Sequence, residues 1–154
     1  DVDDDGDNGI VAWNDNNIMY VSTQIEGIKI IFQKYSDSMF EGKQNLKSII
    51  FDNVDTRNVG YMQYMFRNCS SLTELNLLQF NTESVEAMSG MFRGCTSLIS
   101  LNIKSFNTSN VIYMSSAFQD CILHSGTLKQ IHLISILTEQ IKTALRLIQQ
   151  DLQM

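Results

Sequence analysis

Residues Met65–Gly90 read MFRNCSSLTELNLLQFNTESVEAMSG, and residues Met91–Ser116 read MFRGCTSLISLNIKSFNTSNVIYMSS. Laid over each other without a gap, the two stretches agree at 14 of 26 positions. A tandem unit of this length marks a repeat architecture, in which one unit cannot bury its own apolar half and must stack on its neighbours.

Each unit divides in two. Leu72, Leu75, Leu77 and Phe80 are spaced 3, 2 and 3 apart, as are Leu98, Leu101, Ile103 and Phe106. This is the L-x-x-L-x-L frame of a leucine-rich repeat, with Phe where Asn or Cys usually stands. Alternation places Leu75 and Leu77 on one face of a short strand. The second half changes period: Val85, Met88, Met91 and Phe92 recur at helical spacing, as do Val111, Met114, Ala117 and Phe118. Thr82 and Thr108 precede these runs, where a hydroxyl can cap free N–H groups. The expected unit is strand, turn, short helix, turn.

Working outward, the same register reaches back to Met39 and Phe40, 26 residues before Met65 and Phe66. Leu46, Ile49, Phe51, Val54, Thr56, Val59 and Met62 keep it, and Lys43 replaces the cysteine. Forward, Leu128, Ile131, Leu133 and Ile136 repeat the 3, 2, 3 spacing after a four-residue insertion within Ile122–Thr127. Thr138 then opens an amphipathic run to Gln153, expected to be a closing helix. The expected organisation is an acidic tail over 1–9, an N-terminal β cap over 10–38, repeats over 39–121, and a divergent last repeat with a helical cap over 122–154. The fold class is α/β: a leucine-rich-repeat right-handed solenoid of four turns, with a parallel sheet on one face and short helices on the other. In the cap, IVAW and IMYV flank the polar cluster Asn14–Asn17, and Ile28–Phe32 is a third apolar run. Trp13 is read as a cap-core residue.

The 154 residues suit one domain, and 44% apolar content is enough for a core. A net charge of −6 argues against a nucleic-acid binder, which needs a basic stripe. No run of 18 apolar residues could span a membrane. The chain opens on Asp1 without a signal peptide, as expected of a mature product or a fragment. Asp1, Asp3, Asp5 and Asp7, with Gly6, resemble the start of a calcium loop. Asn8 and Ala12 depart from that loop, so a solvated acidic tail is the preferred reading and calcium the weaker one.

Cys69, Cys95 and Cys121 are 26 residues apart, one per unit. A column of small buried thiols is expected, with an inter-turn disulfide as the geometric alternative. The spacing fits no zinc pattern, and no cofactor is implied. His132, between Ile131 and Leu133, is an outward strand residue, and no phosphate loop, H-E-x-x-H or G-x-S-x-G occurs. The chain therefore reads as a non-enzyme.

The units M-F-x-x-C-x-S-L-x-x-L-x-[LI]-x-x-F-N-T-x-x-V-x-x-M resemble the BspA-type leucine-rich repeats of bacterial surface proteins, a group that includes mycoplasma-type surface lipoproteins. FNTSNVIYMSSAFQDC and NVGYMQYMFRNCSSL carry the likeness, and AWNDNNIMYV is similar to that family's lead-in. The resemblance implies presentation outside the cell and adhesion to host proteins or other bacteria. It transfers no catalytic residue. A repeat fold does not itself specify a function, so the binding face is inferred from geometry. Outward strand positions are Ser48, Ile50 and Asp52; Glu74, Asn76 and Leu78; Ser100, Asn102 and Lys104; and Gln130, His132 and Ile134. Stacked strands make these one concave patch, the usual binding surface of such arrays. The expected partner is a protein or glycan. The alternative role is a spacer within a larger surface protein, with Asn76 and Asn102 merely satisfying each other.

Overall fold

A computed structural model describes residues 10–23 and 26–121, with side chains from residue 15 onward. The elements are β1 (Ile10–Asp15), β2 (Ile18–Thr23), β3 (Ile30–Ile31), β4 (Ser48–Phe51), β5 (Val54–Asp55), β6 (Glu74–Asn76) and β7 (Ser100–Asn102). They form a five-stranded sheet in the order β1-β2-β4-β6-β7 and a two-stranded sheet of β3 and β5.

The repeat strands β4, β6 and β7 lie parallel and in register: Ile49 pairs with Leu75, and Leu75 with Leu101. Each is short because the unit must turn at once into its second half. The inward residues Ile49, Leu75, Leu77, Leu101 and Ile103 are buried, as strand alternation requires. The N-terminal stretch does more than cap. After a two-residue turn at Asn16 and Asn17, whose φ angles of 50° and 66° suit a tight hairpin, β2 runs parallel to β4. β1 then pairs antiparallel outside β2 and covers the edge strand.

The short helices expected in the second half do not form among the described residues, where these segments are consecutive turns. The cause is a left-handed residue at two positions of every unit. Ser38, Tyr64, Gly90 and Ser116 have φ of 56–61°, and Gly42, Asn68, Gly94 and Asp120 have φ of 59–74°. A helix cannot propagate through such residues. The amides instead alternate between two kinds of partner. Those of Met62, Tyr64, Phe66 and Asn68 donate across to the carbonyls of Ala87, Ser89, Met91 and Arg93 at 2.8–3.0 Å. Those of Met65, Arg67 and Cys69 donate back three residues, to Met62, Tyr64 and Phe66. The Gln63 N–H between them donates to Asp37 Oδ1 at 2.8 Å, so the segment pairs its amides although it is neither helix nor strand. The apolar spacing that suggested a helix is real, since Val85, Met88, Met91 and Phe92 are all buried, but turns deliver it.

Thr82 is likewise not a helix cap. Its hydroxyl donates to the Asn107 carbonyl at 2.9 Å and accepts the Asn107 N–H at 2.8 Å, clamping one unit to the next. Asn107 uses its own side chain to accept the Ser109 N–H at 3.0 Å, which shapes the corner. The F-N-T triplet is thus a corner and an inter-unit clamp.

The core is a set of columns. Phe40, Phe66, Phe92 and Phe118 stack with centroid spacings of 5.4, 5.6 and 5.3 Å. A second stack, of Phe80 on Phe106, would follow from the repeat, but no such ring contact exists among the described residues. Phe80 instead packs edge-on against Phe51 at 5.0 Å and Phe32 at 5.8 Å. The first unit carries Val54 at the Phe80 position and Phe51 at the Leu77 position, so its aromatic bulk sits three residues earlier. The cysteine column is present as free thiols: Cys69, Cys95 and Cys121 donate to the carbonyls of Phe40, Phe66 and Phe92 at 3.1, 3.1 and 2.9 Å. Lys43, at the same position of the first unit, is exposed. The acidic tail, the side chain of Trp13, the fourth repeat strand and the closing helix lie outside the described residues.

Candidate ligand groove

Parallel pairing of β4, β6 and β7 aligns their outward side chains in rows. They line an open groove of about 660 Å³ that includes Ile50, Glu74, Asn76, Leu78, Ser100 and Asn102. These six were all expected on this face. Asp52 and Lys104 are exposed beyond the groove lining, and the Asp52 carboxylate accepts the Ser22 hydroxyl at 3.0 Å. Gln130 and His132, with Asp1, Asp3, Asp5 and Asp7, lie outside the described residues. Ser48 lines the groove but is only 7% exposed, since β2 pairs beside it. That neighbour is supplied by the lead-in, which the repeat pattern alone does not place.

The groove's chemistry is mixed. Ile50 and Leu78 are 43% and 53% exposed and bring apolar surface into the groove. In the row across the strands that begins at Ile50, Asn102 donates its amide to Asn76 Oδ1 at 3.0 Å. Asn76 Oδ1 also accepts the Leu78 N–H at 3.1 Å, and Asn102 Oδ1 accepts the Lys104 N–H at 3.4 Å. The amide ladder therefore also shapes the turn that follows each strand. Gln79, which strand alternation alone does not mark, lines one end and donates to the Phe51 carbonyl at 2.6 Å.

A second exposed row runs along the turn segments. Tyr35, Tyr61, Ala87 and Tyr113 form a ladder of single parallel bridges. Tyr35 and Tyr61 stack at 5.0 Å, and Lys34 Nζ lies 5.8 Å from the Tyr35 ring centroid. Tyr61 donates its hydroxyl to Glu86 at 3.1 Å, which raises its pKa. The sequence carries this row as tyrosine at one repeat position, interrupted by Ala87. Tyr35 and Tyr113 are 69% and 60% exposed.

Comparison with known proteins adds one finding. A family model described as "Mycoplasma protein of unknown function, DUF285" matches residues 33–131. No curated protein and no solved structure matches the chain.

Proposed function

We propose that this chain, which belongs to the DUF285 family of Mycoplasma proteins of unknown function, is a binding module that grips a protein or glycan through the β4-β6-β7 groove. The observation that carries this reading is the pair of exposed aliphatic side chains, Ile50 and Leu78, set in a groove over strands whose inward residues Ile49, Phe51, Leu75 and Leu101 are buried. Leaving such surface in water costs about 25 cal/mol per Å² relative to burying it, which a bound partner recovers. The reading includes a leucine-rich-repeat right-handed solenoid of the BspA type, displayed at the bacterial surface or secreted. It is supported by the in-register parallel strands and the repeated clamps between units. It places binding, not catalysis, on this domain.

The test is capture of soluble host extracellular-matrix proteins and glycans on the immobilised chain. The Ile50→Asp/Leu78→Asp double variant serves as control, with its fold checked by circular dichroism and urea titration. Capture by the native chain and its loss in a folded double variant is the expected result. Equal capture by both removes the groove from the function. The spacer reading draws on the Asn76–Asn102 bond, which satisfies part of the face internally. Capture of nothing by either chain decides for the spacer.

A further inference from the structure

Resting on the groove reading above, the side chains of the groove discriminate between the two partner classes. Among the described lining residues Phe51 is the sole aromatic, and it is buried beneath the sheet. No exposed ring face is present there on which a sugar could stack. What is exposed is a carboxylate at Glu74 and a carboxamide at Asn76, at alternate positions of β6, and an aliphatic side chain at Leu78, two residues on in the turn.

The state of Asn76 is informative. Its Oδ1 already accepts two hydrogen bonds, from Asn102 Nδ2 and the Leu78 N–H. Its Nδ2 donates to nothing among the described residues. The next place in the amide ladder, on β4, is Ile50, which has no acceptor to offer. An unused donor therefore stands beside two exposed aliphatic side chains, Ile50 across the strands and Leu78 along the chain, with a carboxylate two residues away. A partner complementary to this row presents a carbonyl at its centre, an apolar group on one side and a cation on the other.

An extended polypeptide has that pattern at the right spacing. Its side chains on one face recur every second residue, about 6.6 Å apart, which is the period of Glu74 and Asn76 on β6, with Leu78 following in the turn. Its carbonyls point to either side of the backbone, where the Asn76 amide can reach one past a small side chain. We propose that the groove receives an extended peptide segment with a lysine or arginine opposite Glu74, a small residue whose carbonyl accepts from Asn76 Nδ2, and an aliphatic residue over Leu78 and Ile50. Asp52, exposed beyond Ile50, adds to the attraction for a basic segment. Lys104, exposed two residues past β7, disfavours a second cation there and sets the peptide's polarity across the rows.

The test uses the whole chain, isotopically labelled, titrated with the capped peptide Lys-Thr-Ala-Thr-Val and with Glu-Thr-Ala-Thr-Val. The uncharged oligosaccharide maltohexaose is the third probe. The readout is the Asn76 side-chain amide signal together with the Leu78 and Ile50 methyl signals. Saturable shifts with the lysine peptide, at least tenfold tighter than with the glutamate peptide, are expected. The Glu74→Lys variant should invert that preference. Groove shifts with maltohexaose alone overturn the peptide assignment while leaving the groove reading intact. Shifts confined to residues outside the groove overturn both. Silence of the groove signals with all three probes overturns the peptide assignment, and the groove reading then rests on the capture experiment.

Discussion

The Thr56 hydroxyl and the Asn81 main chain hold each other from adjacent units: Oγ1 donates to the Asn81 carbonyl at 2.9 Å and accepts the Asn81 N–H at 2.8 Å. Thr82 and Asn107 repeat the arrangement one unit later. Thr82 is 1% exposed, so replacing it with valine keeps the shape and strands two main-chain groups. Thr82→Val should destabilise the protein by about 1–2 kcal/mol, the cost of unsatisfied polar groups at a part-buried site. Thr82→Ser, which retains the oxygen, should lose less than half of that. Urea titrations of the three proteins measure the difference, and equal midpoints for the valine variant and the native chain would exclude the clamp.

Phe92 sits between Phe66 and Phe118 in the ring column and is 1% exposed. Phe92→Ala removes a ring contacted on both faces, in a stack whose spacing is set by the hydrogen-bonded rungs and cannot collapse. A loss of about 3–5 kcal/mol is expected. Phe118→Ala, at a partly buried position, should cost less. A reversed order in thermal or chemical melts would contradict the column.

Gly94 has a φ of +74°, and a Cβ there would lie 2.5 Å from Asn68 Oδ1. Gly94→Ala therefore meets two penalties: left-handed backbone, about 1–2 kcal/mol, and displacement of the Asn68 carboxamide. Asn68→Gly removes only the second. The double variant should be more stable than the sum of the single changes implies, with a coupling of about 1 kcal/mol. Strict additivity in a double-mutant cycle would show that Asn68 yields freely.

Burial raises the Cys69 thiol to about 11. The Cys95 thiol is also raised, by its hydrogen bond with Cys121 and then by burial. A thiol whose folded pKa exceeds its unfolded value of 9.0 contributes stability that is fully present below pH 9. That contribution falls as pH rises through the folded value, because only the unfolded chain releases the proton first. Stability should therefore decline between about pH 9 and pH 11, and less steeply in a Cys69→Ala variant. In native buffer iodoacetamide should label Cys69 and Cys95 far more slowly than in urea. Labelling of Cys69 at the unfolded rate would show that the column is open.

The sequence alone determined the period, the register and the residues that go inside. Leu75 and Leu101, or Phe66 and Phe92, recur at one interval, and a repeat that stacks must bury equivalent positions together. For the same reason the outward row Ile50, Asn76, Asn102 and its neighbours could be named in advance. Tertiary structure decided how the second half of each unit is built. Apolar spacing reports which side chains point inward, not which main-chain bonds deliver them. At Tyr64, Asn68, Gly90 and Gly94 the main chain takes left-handed turns, because every other amide then reaches the neighbouring unit. It also decided the work of Thr82, whose hydroxyl is equally suited to a helix start and to a clamp until the next unit supplies Asn107. The placing of β2 beside β4, and with it the burial of Ser48, belongs to tertiary structure as well. A strand pairs with whatever edge the stacked units leave open, and that edge exists only once the units have stacked.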